Sequence, residues 1–267
     1  MTDRWRVPPG RKTTLDSFDP GATSGAPGDR AATVDALAPM QARLRALQDR
    51  LWAEGKRSLL VVLQGPDAAG KDGTIKHVFS GINPQGARVA SFKEPTSEEL
   101  AHDFLWRVHR QVPRAGEIGI FNRSHYEDVL VVRVDRLVEE DIWRDRYEQI
   151  NSFERLLVQG GTTVIKFFLH ISYEEQGQRL QQRLDRPEKR WKLTRSDLTE
   201  RKRWSEYVVA YDDMLTLTST ETAPWYVIPS DHKWFRNWVV SNILVDVLDA
   251  MDPRYPEPPS LEGVSVS

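Results

Sequence analysis

The chain of 267 residues contains no cysteine. Disulfides, thiolate nucleophiles and cysteine-based zinc sites are therefore excluded. No apolar run is long enough to span a bilayer, and the first residues lack the apolar core of a secretory signal. A cytoplasmic protein with no membrane partner is the resulting expectation. Charge of one sign is also lacking. The 37 basic residues balance the 39 acidic ones to a net −2, so overall charge points to no nucleic-acid partner. The six histidines form no metal-binding pattern. What is present is an apolar fraction of 39%, with nine tryptophans, enough for the core of one large α/β domain or two small ones.

Residues 1–30 are rich in Pro, Gly, Asp and Thr and read as an irregular N-terminal arm, partly mobile; residues 253–267 read as a similar C-terminal tail. Between them, over 31–252, strands and helices alternate as in a single domain. Val34, Leu37, Leu44, Leu47 and Leu51 recur at helical spacing before the first strand. Strands are expected at Ser58–Gln64, Arg88–Phe92, Glu117–Phe121, Thr162–His170 and Trp225–Pro229. Helices fill the gaps at Gly70–Ser80, Ser97–Arg110, Trp143–Val158, Ser172–Leu184, Ser196–Leu217 and Trp234–Met251. Short apolar strands of this kind suit a parallel sheet covered on both faces, hence a three-layer α/β fold with ligands beyond the carboxyl ends of the strands.

The most informative segment runs from Leu59 to Thr74. It joins a buried strand to a helix through Gly65-Pro-Asp-Ala-Ala-Gly-Lys71, the spacing of a phosphate-binding P-loop. Glycines let backbone N–H groups approach a polyphosphate, which places Gly65, Ala68, Ala69, Gly70, Asp72 and Gly73 around it. Lys71 can reach the outer phosphates, and the following helix points its positive end at them. Two acids depart from the usual loop. Asp72 stands where a Ser or Thr normally binds magnesium. Asp67 sits inside the loop, where bare phosphate would repel it, so it is expected to face a metal ion.

Three further segments complete the candidate site. The third strand runs into Asn122-Arg123-Ser-His-Tyr-Glu127-Asp128. A carboxylate at such a strand end binds magnesium in P-loop enzymes; here Asn122 holds that place, with Glu127 and Asp128 following. Arg123 can neutralise charge on a transferring phosphoryl group. A polar loop with Ser124 capping a helix is the alternative. The stretch Arg179–Arg203 carries ten basic residues against four acidic ones, among them Arg179, Arg183, Lys189, Arg190 and Lys192. Its place after strand four suits a lid closing over phosphates, about residues 179–215; a solvated basic face or a nucleic-acid patch are the alternatives. Lys93, after strand two, is a candidate contact for an acceptor, or part of a surface turn. His125 is given no role as a base.

On these residues the chain resembles the polyphosphate kinase 2 family. The matching stretches are Gly65–Gly73, Ser91–Thr96, Phe104–His109, Phe121–Val129 and Trp191-Lys192, and the likeness runs from about Arg4 to Pro253. Asn122 with the following His-Tyr-Glu-Asp resembles the class III subgroup; classes I and II typically carry Asp at that position. The resemblance implies a three-layer P-loop kinase fold with a five-stranded parallel sheet and a helical lid. It implies phosphoryl transfer from inorganic polyphosphate to AMP and ADP, forming ADP and ATP, with Mg2+ as cofactor and Mn2+ as a substitute. The residues expected at the catalytic centre are Asp67, Lys71, Asn122, Arg123 and Glu127, with Asp67, Asn122, Glu127 and Asp128 as metal ligands. Dimers or tetramers are expected on the same ground. An ATP-donor nucleoside monophosphate kinase and a non-catalytic binding module are the competing readings.

Overall fold

The computed structural model describes residues 2–260; of the expected tail, residues 261–267 lie outside the described residues. Five strands, β1 (Ser58–Gln64), β2 (Ala87–Ser91), β3 (Ile118–Asn122), β4 (Thr162–His170) and β5 (Trp225–Pro229), form one parallel sheet in the order β2-β3-β1-β4-β5. Three strands have the expected limits, and β2 and β3 are each offset by one residue. Helices among the described residues are α1 (Arg30–Asp35), α2 (Leu37–Glu54), α3 (Lys71–Val78), α4 (Ser97–Leu100), α5 (Trp106–His109) and α6 (Val131–Val134). They continue as α7 (Glu140–Gln159), α8 (Tyr173–Asp185), α9 (Arg195–Lys202), α10 (Trp204–Thr218) and α11 (Lys233–Met251).

The sheet is covered on both faces, as its composition requires. All seven β1 residues are buried. Successive side chains point to opposite faces. Leu59, Val61 and Leu63 pack with Leu44, Leu47 and Leu51 of α2 and the apolar face of α11. Leu60 and Val62 pack with Phe153 and Leu157 of α7 and Met214 and Leu215 of α10. The order reverses direction about β1, which places a crevice at the carboxyl ends of β1 and its neighbours. There Leu63 is level with Asn122, so the P-loop and the turn after β3 leave the sheet side by side.

Several helices differ from expectation for local reasons. The helix expected at 97–110 is two short ones, because the Asp103 carboxylate accepts the Leu105 N–H and the chain turns there. The helix expected at 196–217 breaks at Arg203, whose guanidinium bonds Val134 O and Asp135 on a neighbouring segment. The helix expected from Val34 is interrupted between α1 and α2: Pro39, in the first turn of α2, has no N–H to extend α1. Val34 is exposed and does not belong to the core.

The arm is irregular, yet it is pinned rather than loose. Val7 N–H bonds Trp225 O on the free edge of β5, and Trp5, Val7 and Leu15 are buried. Leu15 N–H bonds the Asp212 carboxylate of α10, and Asp231 N–H bonds Pro20 O. The exposed sheet edge is thereby covered.

Candidate active site

The loop between β1 and α3 has the backbone that close phosphate approach needs. Gly65 has φ +142°, and a Cβ there would fall 2.7 Å from Leu169 O of β4. Gly70 has φ +111°. Ala68 adopts a left-handed φ of 65° without being glycine. Its carbonyl, and that of Ala69, are held from behind by Arg179. Lys71 is the first residue of α3 and is buried. Its ammonium folds back over the loop to Gly65 O (2.6 Å) and Pro66 O (3.2 Å). Burial, with Arg123 nearby, lowers its pKa.

Opposite stands Arg123, itself in a left-handed backbone conformation (φ 61°) and tied by its N–H to Leu63 O. Its guanidinium lies between Asp67 (2.5 Å) and Glu127 (3.6 Å). Burial would push the Asp67 carboxyl up, but Lys71 and Arg123 outweigh it and hold the pKa at about 2. Asp67 is thus ionised at any physiological pH. Asn122 donates its amide to Asp72 (2.7 Å), whose other oxygen pairs at 3.3 Å with Lys192 of the turn between α8 and α9. The structure so brings together Asp67, Lys71, Asp72, Asn122, Arg123 and Glu127 at the carboxyl ends of β1 and β3, with Lys192 reaching them from the turn after α8.

Other expected site residues are placed differently. Arg179 was expected on phosphate, but a guanidinium has five N–H donors and all five are engaged. They go to Glu175, Ala68 O, Ala69 O, Ser230 O and Asp231 O. It is a strut between the P-loop and the β5–α11 loop. Arg183 bonds Lys192 O and faces Asp197 at 3.7 Å, and Arg190 bonds Leu184 O, so both brace the connection between α8 and α9. Lys189 lies exposed on the turn between α8 and α9. Lys93 is exposed beside β3, one residue past Phe92, whose N–H bonds Asn122 O. Asp128 turns to Arg146 of α7 at 3.1 Å, and burial pushes its carboxyl up to about 6. Among the described residues no three His, Asp or Glu side chains gather as a metal cage. Asp67, Glu127 and Asp128 therefore do not converge as expected. The donor chemistry nevertheless fits magnesium, which is bound through one or two carboxylates together with substrate phosphates.

Four charged groups at or behind the site escaped sequence reasoning. Asp197 and Glu200 of α9 were counted only within the basic stretch, yet they face Asp67; burial and the Asp67 charge push Glu200 up to about 8. Lys166 on β4 and Glu154 on α7 form a fully buried ion pair at 2.6 Å. The ammonium also bonds the Tyr126 hydroxyl (2.8 Å) and Thr218 O (2.7 Å), and Glu154 accepts from Tyr126 and meets His125. His125 and Tyr126 thus turn inward and anchor the segment that carries Arg123 and Glu127. The signal was available: a lysine inside an apolar strand must find a partner. Lys166→Met is expected to destabilise the protein by about 3–5 kcal/mol, because Glu154 stays charged in the core without the ammonium that balances it. Urea unfolding checks this, and the double variant Lys166→Met, Glu154→Leu should recover most of the loss. A single variant as stable as wild type would show that the pair anchors nothing.

A cavity of about 340 Å³ opens beside Pro66 of the loop. Phe18, Tyr173, Trp204 and Tyr211 give it aromatic walls, and Asp16 and Asp19 line it too. Those acids make it a poor seat for a polyanion.

A family model described as polyphosphate kinase 2 matches residues 28–256. The chain is 56% identical over 255 residues to an AMP/ADP-polyphosphate phosphotransferase of Meiothermus ruber, covering 96% of each protein. It is 46% identical over 227 residues to an ADP-polyphosphate phosphotransferase of Rhodopseudomonas palustris, covering 80% of this chain and 78% of that one. The fold is similar to a crystal structure of polyphosphate kinase 2 from Arthrobacter aurescens TC1. The TM-score is 0.92 at 42% identity, covering 99% of this chain and 93% of that one.

Proposed function

The chain belongs to the polyphosphate kinase 2 family, and we propose that it transfers phosphoryl groups from inorganic polyphosphate to AMP and ADP, forming ADP and ATP. The observation that carries this reading is the meeting of loop and lid. Lys71 and the loop N–H groups stand on one side, Arg123 on the other, and Lys192 reaches across to Asp72. A polyanion entering there meets cations on three sides, as a charge-dispersed phosphoryl transfer requires.

In the reaction an oxygen of the acceptor phosphate attacks the terminal phosphorus of the chain. The bridging P–O bond breaks, and the shortened chain leaves with its electron pair. An AMP phosphate has its second pKa near 6, so the attacking oxygen is already anionic at neutral pH and needs no base. Lys71 neutralises the transferring group, Arg123 orients and stabilises it, and the basic lid holds the chain and excludes water. Asp67, with Glu127 nearby, would hold Mg2+ or, in its place, Mn2+. Bound there, the metal would offset the charge of the phosphate oxygens. Asn122 and Asp72 hold each other and the mouth of the loop in place. The breadth over AMP and ADP follows the class III reading of the segment beginning at Asn122. A homo-oligomer, dimer or tetramer, in the cytoplasm completes the proposal; no helix among the described residues is long and apolar enough to cross a membrane.

The test is incubation with AMP, Mg2+ and long-chain polyphosphate in the absence of ATP. ADP followed by ATP is the expected result. ADP formed only after ATP is added would make the protein an ordinary nucleotide kinase. Tight polyphosphate binding with no product would make it a binding module.

A further inference from the structure

Two guanidiniums lie against the phosphate loop on the side of the protein core, and they are bonded very differently. Arg179 is saturated, and its charge is met by Glu175 at 2.7 Å. Arg236, on the first turn of α11, is 2% exposed. It donates one N–H to Ala69 O (2.9 Å) and two to the side-chain oxygen of Asn237. Three of its five donors are thus engaged. No carboxylate among the described residues lies within ion-pair distance of it. Burial, with the like charge of Arg179 beside it, pulls its pKa down to about 9 and leaves it cationic at neutral pH.

Its position is specific. A Cβ on Gly70 would fall 1.9 Å from its Nη1, and one on Gly73 would fall 3.3 Å from its Nη2. The guanidinium therefore occupies the space that both loop glycines leave open, at the start of α3. A buried cation with no counter-charge costs stability. A neutral residue could cap Ala69 O without that cost. The arrangement makes sense if the counter-charge arrives with the substrate.

We propose that Arg236 is a positioning residue for the donor phosphates: it fixes the Ala69 carbonyl away from the substrate side of the loop and places an uncompensated positive charge behind Gly70 and Gly73 that the bound polyanion completes. This rests on the reading that the loop holds polyphosphate. Arg236 touches no reacting atom; it acts through the loop and through its field, which is little screened in the buried site.

Two variants separate charge from shape. Arg236→Gln removes the charge and keeps a neutral donor at the depth of Nε, where Asn237 accepts, whereas Arg236→Lys keeps the charge and loses the planar fork. The measurements are the melting temperature without ligand, the Kd for long-chain polyphosphate by calorimetry, and KM for AMP and for polyphosphate separately. For Arg236→Gln, the Kd and KM for polyphosphate are expected to rise about tenfold. KM for AMP should stay as in wild type, and the free protein should melt no lower. Arg236→Lys should stay within about threefold of wild-type polyphosphate affinity. A glutamine variant that binds polyphosphate as wild type does overturns the proposal, and so does equal loss in both variants, which would make Arg236 a matter of shape alone. Wild-type protein that binds no polyphosphate would overturn the functional reading first and this one with it.

Discussion

Lys71→Ala is expected to lower turnover by about 10³-fold while leaving the fold intact. The ammonium is the cation set inside the loop itself, and phosphoryl transfer is catalysed almost wholly by placing positive charge where the transferring oxygens gain density. The structure adds a detail. Two of the three ammonium donors rest on Gly65 O and Pro66 O, so the lysine is held by its own loop before it meets phosphate. Loss of these two bonds should cost little stability, because both carbonyls belong to a loop at the rim of the crevice. Steady-state turnover and a thermal melt together check the claim. Near-normal turnover in a folded variant would sink it. The pH profile offers a second reading of the same group. Burial and Arg123 hold its pKa below the ordinary 10.5. Its charge is therefore lost at lower pH than for an exposed lysine. The alkaline limb of kcat/KM, which reports the free enzyme, should fall correspondingly early in wild type.

How much of this was legible beforehand depended on what each residue answers to. β1, β4 and β5 could be delimited because uninterrupted apolar runs are what a doubly covered parallel strand requires. The loop from Gly65 to Gly73 was legible because its backbone geometry selects the residues directly. The breaks at Asp103 and Arg203 were not, since each depends on where a side chain finds its partner after folding. Charge counting along the chain also misjudged the basic stretch 179–203. It gave Arg179 to the substrate, although its position on the inner face of α8 turns it into a strut, and it hid Asp197 and Glu200 beneath the basic surplus. Arg236 was the hardest to see. Nothing in Lys233-Trp-Phe-Arg-Asn-Trp238 marks this arginine out. Only the folded chain shows its head buried in the space that Gly70 and Gly73 leave for it.

The second large effect is expected at Asp67. Its carboxylate is ionised because Lys71 and Arg123 overcome the burial that would neutralise it, and an anion inside a phosphate loop is tolerated only beside cations. Two roles are then separable. If Asp67 holds magnesium, Asp67→Asn should lower turnover by about 10²-fold and raise the Mg2+ concentration for half-maximal rate at least about tenfold, since one of the few protein ligands is lost. If it serves only to orient Arg123, turnover falls but the Mg2+ midpoint stays where it was, and the metal assignment is wrong. Stability gives an independent check with a definite sign. A carboxyl whose pKa falls from 3.8 unfolded to about 2 folded stabilises the native state above the unfolded value, and that contribution is lost as pH falls through the folded one. The Asp67 charge therefore contributes about 2 kcal/mol at pH 7 that is lost between about pH 4 and pH 2; because the same charge raises Glu200, the comparison that isolates it is Asp67→Asn made in a Glu200→Gln background. Urea melts across that range test it. A gap that persists unchanged at pH 2 would show that the Asp67 charge is not what the loop and Arg123 depend on.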